Sequence, residues 1–128
     1  LRGGKGGTNY HLEAVDQAAT QLAKAGLPHR VMVDCSHGNS NKDYRRQSEV
    51  ASEVAQQLRA GSSQLMGVML ESHLVAGSQK IPSDLAQLQR ASLTYGQSIT
   101  DACIDLATTA AALDTLAQAV AQTQLVLS

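Results

Sequence analysis

A chain of 128 residues with a formal net charge of −1 has room for one domain and carries no basic footprint for nucleic acid. Three tyrosines, no phenylalanine and no tryptophan restrict the core to Leu, Val, Ile, Met and Ala, which is feasible at this length but small. No apolar run approaches the roughly 18 residues of a membrane-spanning helix and no signal peptide is visible, so the expected location is cytoplasmic, away from membranes.

The chain opens on Leu1-Arg2-Gly3-Gly4 without an initiator methionine and reads as a piece of something longer. Residues 1–9 are glycine-rich around Lys5 and are expected to close an earlier strand. A helix should follow, with Asn9 as its N-cap, an apolar face of Leu12, Val15, Ala19 and Leu22, and a stop at Gly26 and Pro28. The β-branched run Val31-Met32-Val33 predicts a buried strand over 30–35. After the polar turn 38–42, Asn41 or Asp43 can cap a second helix whose buried face is Val50, Val54 and Leu58, with Gly61 as its end. The apolar stretch 64–70 predicts a second buried strand ending at Glu71-Ser72-His73. Residues 76–98 form a long connection with room for a helical turn near 84–88. A last helix is expected from Thr108 or Thr109, with Leu113, Leu116 and Val120 on one face. Alternating helices and strands of this kind predict an α/β fold of parallel strands with right-handed crossover helices.

Parallel strands end on a common rim, and that rim is where α/β folds place their chemistry. Arg2, His37 and Glu71 each follow a predicted strand, and Asp101 follows a loop that leaves the same rim. A mixed set of one imidazole and two carboxylates suits a divalent ion such as Mn, Fe, Co or Zn. Each residue also has a plainer reading. His37 can be a satisfied polar group, Glu71 a solvated one and Asp101 a helix cap, and the spacings match no short metal motif. Arg2 beside Gly3-Gly4 can bind a phosphate or carboxylate, or can be a flexible basic terminus. Cys35 and Cys103 lack a CxxC spacing and read as buried free thiols, although Cys35 and His73 each lie two residues from a candidate ligand.

Four stretches carry a family resemblance. They are Leu1-Arg2-Gly3-Gly4 with Thr8-Asn9-Tyr10, then Asp34-Cys35-Ser36-His37-Gly38-Asn39-Ser40-Asn41-Lys42, then Gly67-Val68-Met69-Leu70-Glu71-Ser72-His73-Leu74, and Tyr95-Gly96-Gln97-Ser98-Ile99-Thr100-Asp101-Ala102-Cys103. In this order they resemble the class I 3-deoxy-D-arabino-heptulosonate 7-phosphate (DAHP) synthases of aromatic amino-acid biosynthesis. The resemblance implies the C-terminal third of a (β/α)8 TIM barrel, with residues 1–128 running from the end of strand six through unit eight. It also implies condensation of phosphoenolpyruvate with erythrose 4-phosphate, the first step of the shikimate pathway. His37, Glu71 and Asp101 match metal ligands, His37 and Asp101 fall at catalytic positions, and Arg2 matches an arginine that binds phosphoenolpyruvate. The family's fourth ligand is a cysteine from the N-terminal part, matched by neither Cys35 nor Cys103. A barrel fragment has open sheet edges, so the expectation is a homo-oligomer or pairing with a separate N-terminal part, and no synthase activity alone. The alternatives are a non-catalytic metal- or anion-binding module and an inert folding unit.

Overall fold

The computed structural model describes residues 1–88 and 92–126, with side chains beyond Thr123 left aside. The elements are α1 (Leu12–Lys24), β1 (Val31–Asp34), a single 3-10 turn at Tyr44–Arg46, α2 (Gln47–Arg59), β2 (Leu65–Met69), β3 (Val75–Ser78), a second 3-10 turn at Leu85–Gln87, β4 (Gln97–Ser98) and α3 (Leu106–Val126).

β1 and β2 run parallel, with Met32 opposite Gly67, Val33 opposite Val68 and Asp34 opposite Met69, and α2 is the crossover between them. Leu1 lines the other edge of β1 as the start of the chain was expected to do. Its amino group donates to the Met32 carbonyl at 2.7 Å and the Asp34 N–H donates back to its carbonyl at 2.8 Å. The expected parallel α/β character is therefore present, in two separate pairs rather than one sheet, because β3 and β4 form a second short parallel ladder. That ladder lies in the connection expected to hold only a helical turn. The turn itself is present at Leu85–Gln87, where the Asp84 side chain accepts from the Ala86 N–H. The part of the connection at 89–91 lies outside the described residues.

The core joins Val15 of α1, Val31, Val33 and Cys35 at β1, Val50, Ala51 and Val54 of α2, Leu65 of β2 and Ala112 of α3. The expectation of two fully buried strands needs correction. Helices cover one face only, so Val31 and Val33 are buried while Met32 is 48% and Met66 61% exposed on the opposite face. Asn9 is not the cap of α1, which starts at Leu12 after His11 with no side-chain cap. The Asn9 carboxamide is taken by the Gly3 N–H at 2.7 Å. Leu12 is exposed as well, so the buried face of α1 begins at Val15.

Gly26 and Gly61 end α1 and α2 as expected, through the bonds Leu27 N–H to Leu22 O at 2.9 Å and Ser62 N–H to Gln57 O at 3.1 Å. Asp43 caps the turn leading into α2 by accepting from the Arg45 N–H. α3 begins at Leu106 rather than at 108–109, because the Asp105 carboxylate accepts from the Thr108 N–H at 2.8 Å. Its packing face also differs from the expected one. Ala112 and Ala119 are buried, Leu116 is partly buried against the core, and Leu113 and Val120 are exposed. Small residues let α3 approach α2 closely, and Thr123 Oγ1 donates to the Leu58 carbonyl at 2.7 Å across that seam.

Candidate metal centre

β1 ends at Asp34, and the turn after it is built by side chains. Asp34 Oδ1 accepts from the Ser36 N–H at 2.8 Å, and His37 takes a left-handed backbone conformation at φ 49°. Asn39, fully buried, staples three segments together. Its Nδ2 donates to Asp34 O at 2.8 Å and Leu1 O at 3.1 Å, and its Oδ1 accepts from the Asn9 N–H at 2.7 Å. The Asn39 N–H also donates to the Arg2 carbonyl at 3.2 Å. Glycine is required where these segments cross. A Cβ on Gly3, whose φ is +72°, would sit 2.6 Å from the Gly38 carbonyl carbon, and a Cβ on Gly38 would sit 2.8 Å from that of Gly3.

This frame fixes His37 and Glu71 relative to each other. His37 Nδ1 lies 2.8 Å from Asp34 Oδ2, and His37 Nε2 lies 3.5 Å from Glu71 Oε1. Ser36 Oγ donates to Glu71 Oε2. The backbone of Glu71 is held by Gln47, which is fully buried although it opens a helix. Gln47 Oε1 accepts from the Glu71 N–H at 2.7 Å and Gln47 Nε2 donates to the Glu71 carbonyl at 3.1 Å. Asp101 reaches the same place from the far side of the cleft. Its ligand atom and those of His37 and Glu71 all lie within 4.8 Å of one another, the one such group among the described residues.

The donor set fits a divalent cation. With Asp34, an acceptor, on Nδ1, the neutral imidazole presents its lone pair at Nε2 toward a carboxylate oxygen. Two acceptors facing each other at 3.5 Å, with a second carboxylate beside them, are an arrangement that a cation stabilises. The cleft around them has a volume of about 600 Å³, and its walls include Arg2, Lys42, Tyr44, His37, Glu71 and Asp101. All four residues singled out from the sequence thus line one cavity.

The weaker candidates fall elsewhere. Cys35 is fully buried, and burial, helped by the neighbouring Asp34 charge, pushes its thiol up to about 12, so it stays protonated and apolar. Cys103 is also a free thiol, held above its usual range mainly by burial. His73 turns Nδ1 back to its neighbour's N–H, accepting from Leu74 at 2.8 Å. Sequence reasoning missed Asp34, Ser36, Gln47 and Lys42. The signal for the first two was their alternation with Cys35 and His37 at the end of a strand. Gln47 gave none, since a glutamine at the start of a helix reads as solvated.

The model of the DAHP synthetase I family matches residues 1–114. A phospho-2-dehydro-3-deoxyheptonate aldolase of Alternaria alternata is 48% identical over 122 residues, covering 95% of this chain and 32% of that protein. The Phe-sensitive phospho-2-dehydro-3-deoxyheptonate aldolase of Escherichia coli is 47% identical over 120 residues, covering 94% and 32%. The solved structure of the phospho-2-dehydro-3-deoxyheptonate aldolase from Francisella tularensis SCHU S4 superposes with a TM-score of 0.85 at 44% identity, covering 96% of this chain and 34% of that one. The chain spans about a third of the length of these relatives.

Proposed function

The chain belongs to the DAHP synthetase I family, and on that premise we propose that it is the C-terminal part of a DAHP synthase that condenses phosphoenolpyruvate with erythrose 4-phosphate at the head of the shikimate pathway. The observation that carries this reading is the convergence of His37, Glu71 and Asp101 on one rim, with Arg2 in the same cleft. In this reading His37, Glu71 and Asp101 would hold a divalent ion, one of Mn, Fe, Co or Zn. When bound, that ion supplies Lewis-acid polarisation of the sugar aldehyde. Arg2, exposed in the same cleft, offers its guanidinium fork to the phosphoenolpyruvate anion and orients it for attack. His37 and Asp101 are the side chains we assign to contact with the reacting groups.

The proposed architecture is a partial TIM barrel over residues 1–128, from the end of strand six through unit eight. Its supports are the parallel register of Leu1, β1 and β2, the helical crossover, and the open apolar face of Met32 and Met66. Among the described residues the outer edge of β2 is unpaired, which leaves a place for a further strand. The site would then lie at the C-terminal ends of the strands, as in barrel enzymes generally. The remaining strands come from a separate N-terminal part or a second copy in a homo-oligomer, in the cytoplasm. Among the described residues no helix is long and apolar enough to cross a membrane.

The test is phosphate release from phosphoenolpyruvate and erythrose 4-phosphate, measured on the intact protein, its His37→Ala, Glu71→Ala and Asp101→Ala variants, and the 128-residue chain alone. Each variant should lower turnover by at least ~100-fold, the upper end of what losing a ligand's outer partner costs, and the 128-residue chain should be inactive. Full turnover in any of the variants removes that residue from the centre. Metal binding by the intact protein without turnover points instead to a non-catalytic binding module.

A further inference from the structure

Asp34 does not line the cleft, yet its carboxylate holds both arms of the turn that builds one wall. Oδ1 accepts from the Ser36 N–H and Oδ2 from His37 Nδ1, each at 2.8 Å, and the side chain is only 14% exposed. An ionised carboxylate accepts and cannot donate, so the second bond places the imidazole proton on Nδ1 and leaves Nε2 bare. The first bond fixes Ser36, whose hydroxyl occupies Glu71 Oε2 and leaves Oε1 as the free oxygen. The two free lone pairs, on His37 Nε2 and Glu71 Oε1, are the pair that face each other at 3.5 Å.

We propose that Asp34 is a positioning residue that selects the Nδ1–H tautomer of His37 and, through Ser36, turns Glu71 so that it binds through a single oxygen. The inference rests on the metal-centre reading only in its consequence for affinity. The tautomer is a property of the protein alone. Asp34→Asn is the informative change, because both oxygens of Asp34 accept from N–H groups and an amide can satisfy only one. With its NH2 toward His37, the ring must accept at Nδ1 and carry its proton on Nε2. With its oxygen toward His37, the NH2 abuts the Ser36 N–H and the turn loses its cap.

The experiment has two arms on the intact protein. Long-range proton–nitrogen NMR correlations of the His37 ring, assigned against His37→Ala, are recorded without metal at a pH where the ring is neutral. The Nδ1–H form is expected in the wild type, with that form depleted in Asp34→Asn. Calorimetric titration with Mn2+ and Zn2+ should then show affinity lower by ~10–100-fold in Asp34→Asn, with helix content by circular dichroism unchanged. A wild-type ring protonated on Nε2 overturns the proposal, whether or not the variant folds. So does an Asp34→Asn protein that binds both metals as the wild type does. A wild type that binds neither metal sinks the metal-centre reading instead and leaves the tautomer to decide the role of Asp34.

Discussion

The two walls of the cleft are held in different ways. The wall carrying His37 and Glu71 is fixed by buried side chains, with Asn39 and Gln47 both at 0% exposure and each bonding two or more backbone groups. The wall carrying Asp101 hangs on short backbone ladders, such as the exchange between Gly77 and Cys103 at 2.8 and 3.1 Å, and presents Tyr95 at 89% exposure. Leu74, Leu85 and Ile99 of the same region are each at least half exposed, and Cys103 and Ile104 at its base are buried, so the outer part of this wall belongs to the low-stability end of the molecule. Two candidate ligands are therefore placed in advance, while the third, itself exposed, takes its position from the looser wall.

The largest effect is expected where the firm wall has no slack. In Gly38→Ala the new methyl would lie 2.8 Å from the Gly3 carbonyl carbon and 3.0 Å from the Arg2 carbonyl oxygen, both backbone atoms that no rotamer change can move. A loss of about 3 kcal/mol is expected from overpacking of this kind, read as a lower urea midpoint of the intact protein. Gly6→Ala, which meets nothing within 4 Å, is the control and should leave the midpoint in place. Equal midpoints for the two variants would mean that the Gly3–Gly38 crossing is pliable and the contrast between walls is overdrawn.

A matched pair of glutamines sharpens the comparison. Gln47 clamps Glu71 on the firm wall, and Gln79 clamps the loose one by donating to Thr94 O and Gln97 O and accepting from the Thr94 N–H. Gln47→Leu strands the part-buried Glu71 N–H, whereas the Glu71 carbonyl keeps the Ile104 N–H at 3.0 Å. Such an orphaned donor costs about 2 kcal/mol. Gln79 is half-buried, so water replaces its bonds and Gln79→Leu should cost under about 1 kcal/mol. Urea melts of the two variants settle the order, and a larger loss for Gln79→Leu would reverse the assignment of the walls.

The same contrast explains which parts of the molecule were legible in the sequence. α2 could be read because Val50, Val54 and Ala51 repeat at helical spacing between charged neighbours, and its glycine stop is local. α3 kept its packing face hidden because alanine and leucine fall on every side of it, and only contact with α2 decides that Ala112 and Ala119 go inward. β1 read as wholly buried because Met32 is as apolar as Val33. The sequence does not say that one face of the sheet lacks a cover. That His37 and Glu71 share a cleft was legible because the apolar runs before them predict strand ends on a common rim, whereas Arg2 and Asp101 were picked out by the glycines beside one and the loop leading to the other. Asp34, Ser36 and Gln47 were not, because each acts through specific hydrogen bonds to partners 2 to 35 residues away in the chain. The β3–β4 ladder was invisible for a related reason, being a long-range pairing of short strands with no alternation of their own.

The smallest effect probes the seam between the walls. Asp105 caps α3, and the residue before it ties both walls together, since the Ile104 N–H donates to Glu71 O and Ile104 O accepts from the His73 N–H. Hydrogen bonds from the Thr108 hydroxyl and backbone hold the Asp105 carboxyl below its ordinary value of 3.8. A carboxyl whose folded value is depressed stabilises fully above its unfolded value and loses that contribution as pH falls through the folded one. The melting temperature of Asp105→Ala should therefore lie modestly below wild type by a constant gap from neutral pH down to near 3.8, and the gap should close in stronger acid. Asp105→Asn, which can still cap, should show less of a gap. Hydrogen exchange in Asp105→Ala at neutral pH then separates the walls. Faster exchange at the amides of Gly77, Cys103 and Ile104, with those of Cys35 and Asn39 unchanged, is expected if the loose wall opens by itself, and equal acceleration at both sets would show that the walls open as one unit.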